Sequence, residues 1–161
     1  PVVFLEHKGL YAQSFPFNPE SAPPWGRAKV SRSGNDCSII CYSRMAQRSL
    51  EAAAQLAELG VRAEVVDLRT LHPLDMETVT KSVRKTGRAL VVTEDCLTAG
   101  VSAELSARIT EENFEHLEEP VLRMAGEDIP IPVSPALEAA SVPTSESIKQ
   151  SVLKLMRKNE Y

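Results

Sequence analysis

Two rhythms of apolar positions alternate along this chain, one of period two and one near 3.6, and the switches between them predict its elements. The opening PVVFL is strand-like from its second residue, and a proline-rich stretch without periodicity, QSFPFNPESAPPWG, follows as an irregular connector. Next come two short strand-like runs, AKVSRS and CSIICY, separated by Gly34-Asn35-Asp36, a turn signal that predicts an antiparallel hairpin. Ser43 then stands as N-cap of a helix with Ala46, Leu50, Ala53 and Ala57 on one stripe, ended by Gly60. RAEVVDL reads as a strand. Asp75 caps a helix that turns Met76, Val79 and Val83 inward and stops at Gly87, ahead of the buried-looking strand ALVVT. A helix from about Ala99 carries Val101, Leu105 and Ile109, PVLRMA supplies another strand, and IPIPVSP is a loop. The last helix begins near Thr144 and presents Ile148, Val152 and Leu155 inward.

Successive strands spaced roughly 25 to 30 residues apart with a helix between them have the spacing of right-handed βαβ crossovers. The expected fold is a three-layer α/β/α sandwich with about five strands, mostly parallel, and one antiparallel edge strand. Residues 1–26 belong to the tail of a preceding unit plus its linker, and residues 27–161 form the domain. The start at Pro1, with a strand already under way, suggests a piece of something longer.

Composition narrows the classes. A chain of 161 residues with 43% hydrophobic residues can hold a core without metal or disulfides. Its 18 Lys and Arg against 22 Asp and Glu give a net charge of −4, with no general attraction to nucleic acid or anionic membrane. No apolar run approaches the ~20 residues that span a bilayer. Cys37, Cys41 and Cys96 are an odd count without CxxC spacing, which suits a reducing compartment and argues against a zinc site. Cys37 and Cys41 share one face of a strand but lie ~13 Å apart, so they are packing residues.

Ligands of open α/β sheets bind beyond the carboxyl ends of the strands. The residues there are Ser43 and Arg44, Asp67 and Arg69, Glu94 with Asp95 and Cys96, and Glu127 with Asp128. This set of acids and arginines suits acid/base chemistry or a small anion, or else a system of caps and ion pairs tying loops together. No GxGxxG, GxxxxGK or GxSxG motif is present, and His7, His72 and His116 fall in no metal-ligand spacing. Five glutamates between Glu111 and Glu119 make either a solvated face or an acidic docking patch for a basic partner.

The runs RAEVVDLRTLHPLD and SVRKTGRALVVTED, then Gly100 with AEL, then LEEPVLRMAGEDIPIP, resemble in order the C-terminal domain of transketolase-like enzymes. The match is closest to the beta subunit of the thiamine-dependent decarboxylating component of 2-oxo acid dehydrogenase complexes, of branched-chain, pyruvate or acetoin type. PVVFLEHKGLY resembles the last strand of that subunit's pyrimidine-binding domain, and its EHKGLY tilts toward the branched-chain type. The resemblance implies a complete enzyme that decarboxylates a 2-oxo acid on thiamine diphosphate and magnesium and passes the acyl group to a lipoyl arm. Its catalytic and cofactor residues lie in the missing domain and the alpha subunit, so no catalytic, cofactor or metal residue is expected on this piece, which alone is inactive.

What the resemblance assigns to this domain is assembly: pairing with a second beta subunit, contact with the alpha subunit, and docking of the acyltransferase's small basic subunit-binding domain. The docking acid matches Glu118 of LEEP, aided by the C-terminal carboxylate of Tyr161, while Glu119 stands where the family has a small residue. The expected compartment is the bacterial cytoplasm or the mitochondrial matrix, with neither nucleic acid nor membrane as partner. The competing readings are a small-molecule-binding α/β domain and the same domain of transketolase or a related thiamine-dependent synthase.

Overall fold

The middle of the sheet is set by CSIIC, a run with no polar face, whose five residues are all buried in the computed structural model. A strand apolar on both sides has to lie between two helical layers. Residues 1, 3, 5–12, 14 and 24–157 are described. Their strands are β1 (Lys29–Arg32), β2 (Cys37–Cys41), β3 (Ala63–Asp67), β4 (Ala89–Cys96) and β5 (Leu122–Gly126). The helices are α1 (Arg44–Glu58), α2 (Met76–Thr86), α3 (Val101–Asn113), α4 (Pro135–Ser141) and α5 (Ser145–Arg157).

The sheet runs β1-β3-β2-β4-β5, with β2, β3, β4 and β5 parallel and β1 antiparallel at one edge. On one face Ile39, Val65 and Val92 pack against Ala52 and Leu56 of α1 and Ile148 of α5. On the other, Ile40, Val66 and Val91 pack against Val79 and Val83 of α2 and Ile109 of α3. This is the expected three-layer sandwich. Among the described residues no helix is long and apolar enough to cross a membrane.

The expected hairpin does not form. β1 pairs with β3, Lys29 opposite Asp67, so β3 lies between the two runs that the Gly34-Asn35-Asp36 turn joins. That turn is bound to the start of β3 instead: the N–H groups of Asn35 and Asp36 donate to Arg62 O at 2.9 and 3.1 Å, and Arg62 N–H donates to Asp36 at 2.6 Å. Gly34 makes the crossing possible, because a Cβ there would stand 2.3 Å from Arg62 O.

Helix ends follow local chemistry with two exceptions. Asp75 caps α2 by accepting from the N–H of Thr78 at 3.2 Å, and its second oxygen accepts from Ala28 N–H at 3.0 Å, which fastens the approach to β1. Gly87 closes the same helix at φ 68°, its N–H donating to Val83 O at 2.8 Å. Thr144 and Ser147 exchange side-chain and backbone hydrogen bonds at the start of α5. Ser43 is the first exception: it precedes α1 at φ 54° and its side chain makes no capping bond. Its helix buries Ala46 and Ala53 of the expected stripe and packs Leu50 against the core, but Met45, Ser49, Ala52 and Leu56 widen the stripe and Ala57 is exposed. The second is α4, a helix beginning at Pro135, the last residue of the run read as loop, where no helix was expected. Proline at the first helical position lacks only an N–H that has no helical partner there.

Candidate functional site

β2 marks the topological switch point, because the chain leaves it for β3 on one side and later returns to β4 on the other. The residues that follow the two strands meet there. Arg44 approaches Glu94 at 3.7 Å and Glu138 of α4 at 3.0 Å. His7 enters the same crevice, its Nε2 lying 2.8 Å from Glu94 Oε2, while its Nδ1 accepts from the N–H of Gly9 at 3.0 Å. The turn Lys8–Leu10 follows directly. An open cleft of about 700 Å³ beside it is lined by Leu5, Tyr11, Tyr42, Ser43, Arg69 and Leu71, among others. The role of His7 had no sequence signal, since its partner stands 87 positions along the chain.

Among the other strand-end groups, Asp67, Asp95 and Asp128 bind neighbouring residues through their carboxylates. Asp67 lies 3.6 Å from Arg69, which adopts φ 59°, and burial pushes the Asp67 carboxyl up despite that arginine. Asp95 accepts from Val101 N–H at 2.7 Å at the start of α3, and Asp128 accepts from Thr98 N–H at 3.0 Å. Glu127 N–H donates to Ser141 O at 2.9 Å. Burial, with Asp95 and Glu94 nearby, pushes the Tyr42 phenol up to about 12. Of the two readings of this cluster, the geometry fits caps and ion pairs that tie loops together.

Asp95 Oδ1, Thr93 Oγ1 and Ser102 Oγ are buried without a hydrogen-bond partner, and these three groups carry no positive charge that would hold a diphosphate. Among the described residues no three His, Cys, Asp or Glu side chains converge on a metal position.

Cys37 and Cys41 are buried in β2 as expected, and burial raises both thiols to about 12. Cys96 is exposed at the end of β4, not buried as a free cysteine usually is.

Exposed apolar side chains gather at this carboxyl edge. Leu71, Leu97, Ile129, Ile131 and Val133 occupy the loops after β3, β4 and β5, with Val133 97% exposed.

The acidic stretch lies at the opposite edge. Glu111 and Glu112 end α3, Glu115 lies in the 3-10 turn Phe114–His116, and Glu118 and Glu119 precede β5. A groove of about 570 Å³ runs between α3 and this segment, lined by Thr110, Phe114, Leu117, Glu118, Pro120 and Val121, among others. Glu118 is exposed, its N–H donates to Gly87 O at 2.8 Å, and its Oε2 lies 2.5 Å from Arg88 Nη2. Sequence reasoning missed Arg88, whose partner is 30 positions away with no periodicity linking them. Tyr161 lies outside the described residues.

Residues 26–148 match the family of the transketolase C-terminal domain. The chain is 44% identical over 153 residues to the mitochondrial pyruvate dehydrogenase E1 component subunit beta-1 of Arabidopsis thaliana, covering 92% of this chain and 42% of that protein. It is 40% identical over 163 residues to the acetoin:2,6-dichlorophenolindophenol oxidoreductase subunit beta of Cupriavidus necator, covering 100% of this chain and 48% of that protein. The chain thus spans less than half the length of these relatives. A solved split gene transketolase, an inactive beta4 tetramer, superposes with a TM-score of 0.71 at 28% identity, covering 87% of this chain and 44% of that one.

Proposed function

Since the chain belongs to the family of the transketolase C-terminal domain, we propose that it is the C-terminal assembly domain of the beta subunit of a 2-oxo acid dehydrogenase decarboxylating component. The complete enzyme decarboxylates a 2-oxo acid and transfers the acyl group to a lipoyl arm. Thiamine diphosphate with magnesium supplies that chemistry and is held outside this domain. The relatives' names favour pyruvate or acetoin over the branched-chain type that EHKGLY suggested. The compartment proposed is the mitochondrial matrix or the bacterial cytoplasm, which suits one relative named as mitochondrial and another from a bacterium.

The observation that carries the assembly role is the concentration of exposed apolar side chains at the strand-carboxyl edge, from Leu71 to Val133. A soluble domain that leaves such a patch in water has a partner for it, here the rest of the subunit assembly, a second beta subunit and the alpha subunit. The opposite edge carries Glu118 and its acidic neighbours above the α3 groove, which suits a small basic domain of the acyltransferase. The pocket-forming alternative is weakened at the switch point, because His7 and Arg44 already occupy Glu94.

The test is a calorimetric titration of the assembled enzyme with the acyltransferase's subunit-binding domain at low and high salt, beside a Glu118→Ala version. Salt-sensitive binding of one domain per two beta subunits, weakened roughly tenfold in Glu118→Ala, is expected. Equal binding by both versions overturns the docking role.

A further inference from the structure

A glutamate in a loop has three side-chain torsions to sample, and ordering them costs affinity when a partner binds. Glu118 is held before any partner arrives. Its N–H donates to Gly87 O at 2.8 Å, fixing the backbone of the acidic loop to the turn between α2 and β4. The next residue of that turn, Arg88, sends Nη2 to Oε2 at 2.5 Å from a side chain only 12% exposed. Arg88 is itself anchored, since its carbonyl accepts from Ser38 N–H at 2.8 Å and from Thr86 Oγ1 at 3.1 Å where β4 begins. Gly87 leaves the space: a Cβ there would stand 2.9 Å from Cγ, Cδ and Oε1 of Glu118.

We infer that Arg88, with Gly87 making room, is the positioning residue of the docking carboxylate, fixing which oxygen of Glu118 a partner's cation can reach. This deepens the docking reading of Glu118 and rests on it. The guanidinium acts in two opposite directions. It aligns the carboxylate, which slows departure of a bound basic partner. It also places a positive charge beside the site, which weakens long-range steering of that partner and slows its arrival. A residue that merely stabilised the fold would not separate the two rates in this way.

The probe is the acyltransferase's small basic domain, and binding kinetics are measured on the assembled enzyme with wild-type, Arg88→Gln, Arg88→Lys, Glu118→Ala and Arg88→Gln/Glu118→Ala beta subunits. Dissociation from Arg88→Gln is expected to be roughly tenfold faster, with association no slower, and Arg88→Lys lies between it and wild type. In the double variant Arg88→Gln adds nothing to the loss from Glu118→Ala, because the aligned group is gone. Gly87→Ala keeps the Arg88 side chain but, at φ 68°, strains the turn that carries it and crowds the Glu118 carboxyl. It speeds dissociation likewise, and carries the test if Arg88→Gln fails to assemble. Unchanged dissociation in Arg88→Gln or Gly87→Ala, or additive losses in the double variant, overturns the positioning role. Binding unaffected by Glu118→Ala overturns the docking reading itself.

Discussion

Lys85, in the last turn of α2, reaches the carboxylate of Glu64 on β3, a side chain only 3% exposed. The same carboxylate accepts from Gly34 N–H at 3.3 Å, so one buried charge joins a helix, a strand and the turn that crosses over that strand. Lys85→Met removes the cation and leaves the carboxylate in the core. A fully buried pair broken this way costs ~3–5 kcal/mol. Lys85 is 40% exposed, so solvent screens part of the attraction, and we expect a loss of about 1 to 2 kcal/mol. Urea unfolding of the two proteins measures it, and an unchanged midpoint at equal slope refutes the role given to the pair.

Acid should find the same weak point. Burial opposes ionisation of Glu64, but Lys85, Ser82 and the Gly34 N–H outweigh it and hold the carboxyl below the usual range. Asp75 is likewise held down, its burial outweighed by Thr78, the Ala28 N–H and Arg27. A carboxyl whose pKa is lower folded than unfolded takes up protons more readily in the unfolded chain. Its stabilisation is complete above the unfolded values, about 4.3 for Glu and 3.9 for Asp, and is lost as pH falls through the folded ones. Stability should therefore change little from these groups between about pH 5 and 7 and drop below about 4. Glu64→Gln should flatten that acid limb in a pH series of thermal midpoints.

Gly34 has no room for a methyl group. Its Cβ would lie 2.3 to 2.5 Å from backbone atoms of Arg62, Ala63 and Glu64, none of which can swing aside as a side chain would. Gly34→Ala should cost about 3 kcal/mol or more. Gly60→Ala offers the contrast, because at φ 82° with open space around it the penalty is backbone strain alone, of about 1 kcal/mol.

Thiol labelling should separate the three cysteines. Cys37 and Cys41 are buried with their thiols raised to about 12, whereas Cys96 is exposed. Native protein treated with a maleimide at neutral pH should gain one label, on Cys96, and further labels only after denaturant. Fast labelling of Cys41 in native protein would contradict the packing of β2.

The parts that could be read from residues were those governed by neighbours in sequence. Asp75 and Gly87 announce both ends of α2, because capping and a left-handed closing residue are decided within one turn. CSIICY was legible as a strand from its local apolar run, but its place in the middle of the sheet was not, because it was read as half of a hairpin. The partner of β1 was not legible: Gly34-Asn35-Asp36 has the chemistry of a tight hairpin turn, and only the competing bonds to Arg62 divert it. α4 was hidden because prolines were read as loop markers, and Pro135 begins a helix. At the edge proposed for docking, Glu118 was placed by resemblance, while Arg88 and Gly87 beneath it depend on how β4 and β5 lie side by side.

The insertion of β3 between β1 and β2 sets an order of events during synthesis. A hairpin can close as soon as its second strand is made, but Lys29 has no strand to pair with until Asp67 has been polymerised and β3 is in register beside β2. Until β1 is in place, an unfinished chain leaves the edge of β3 open to a stranger.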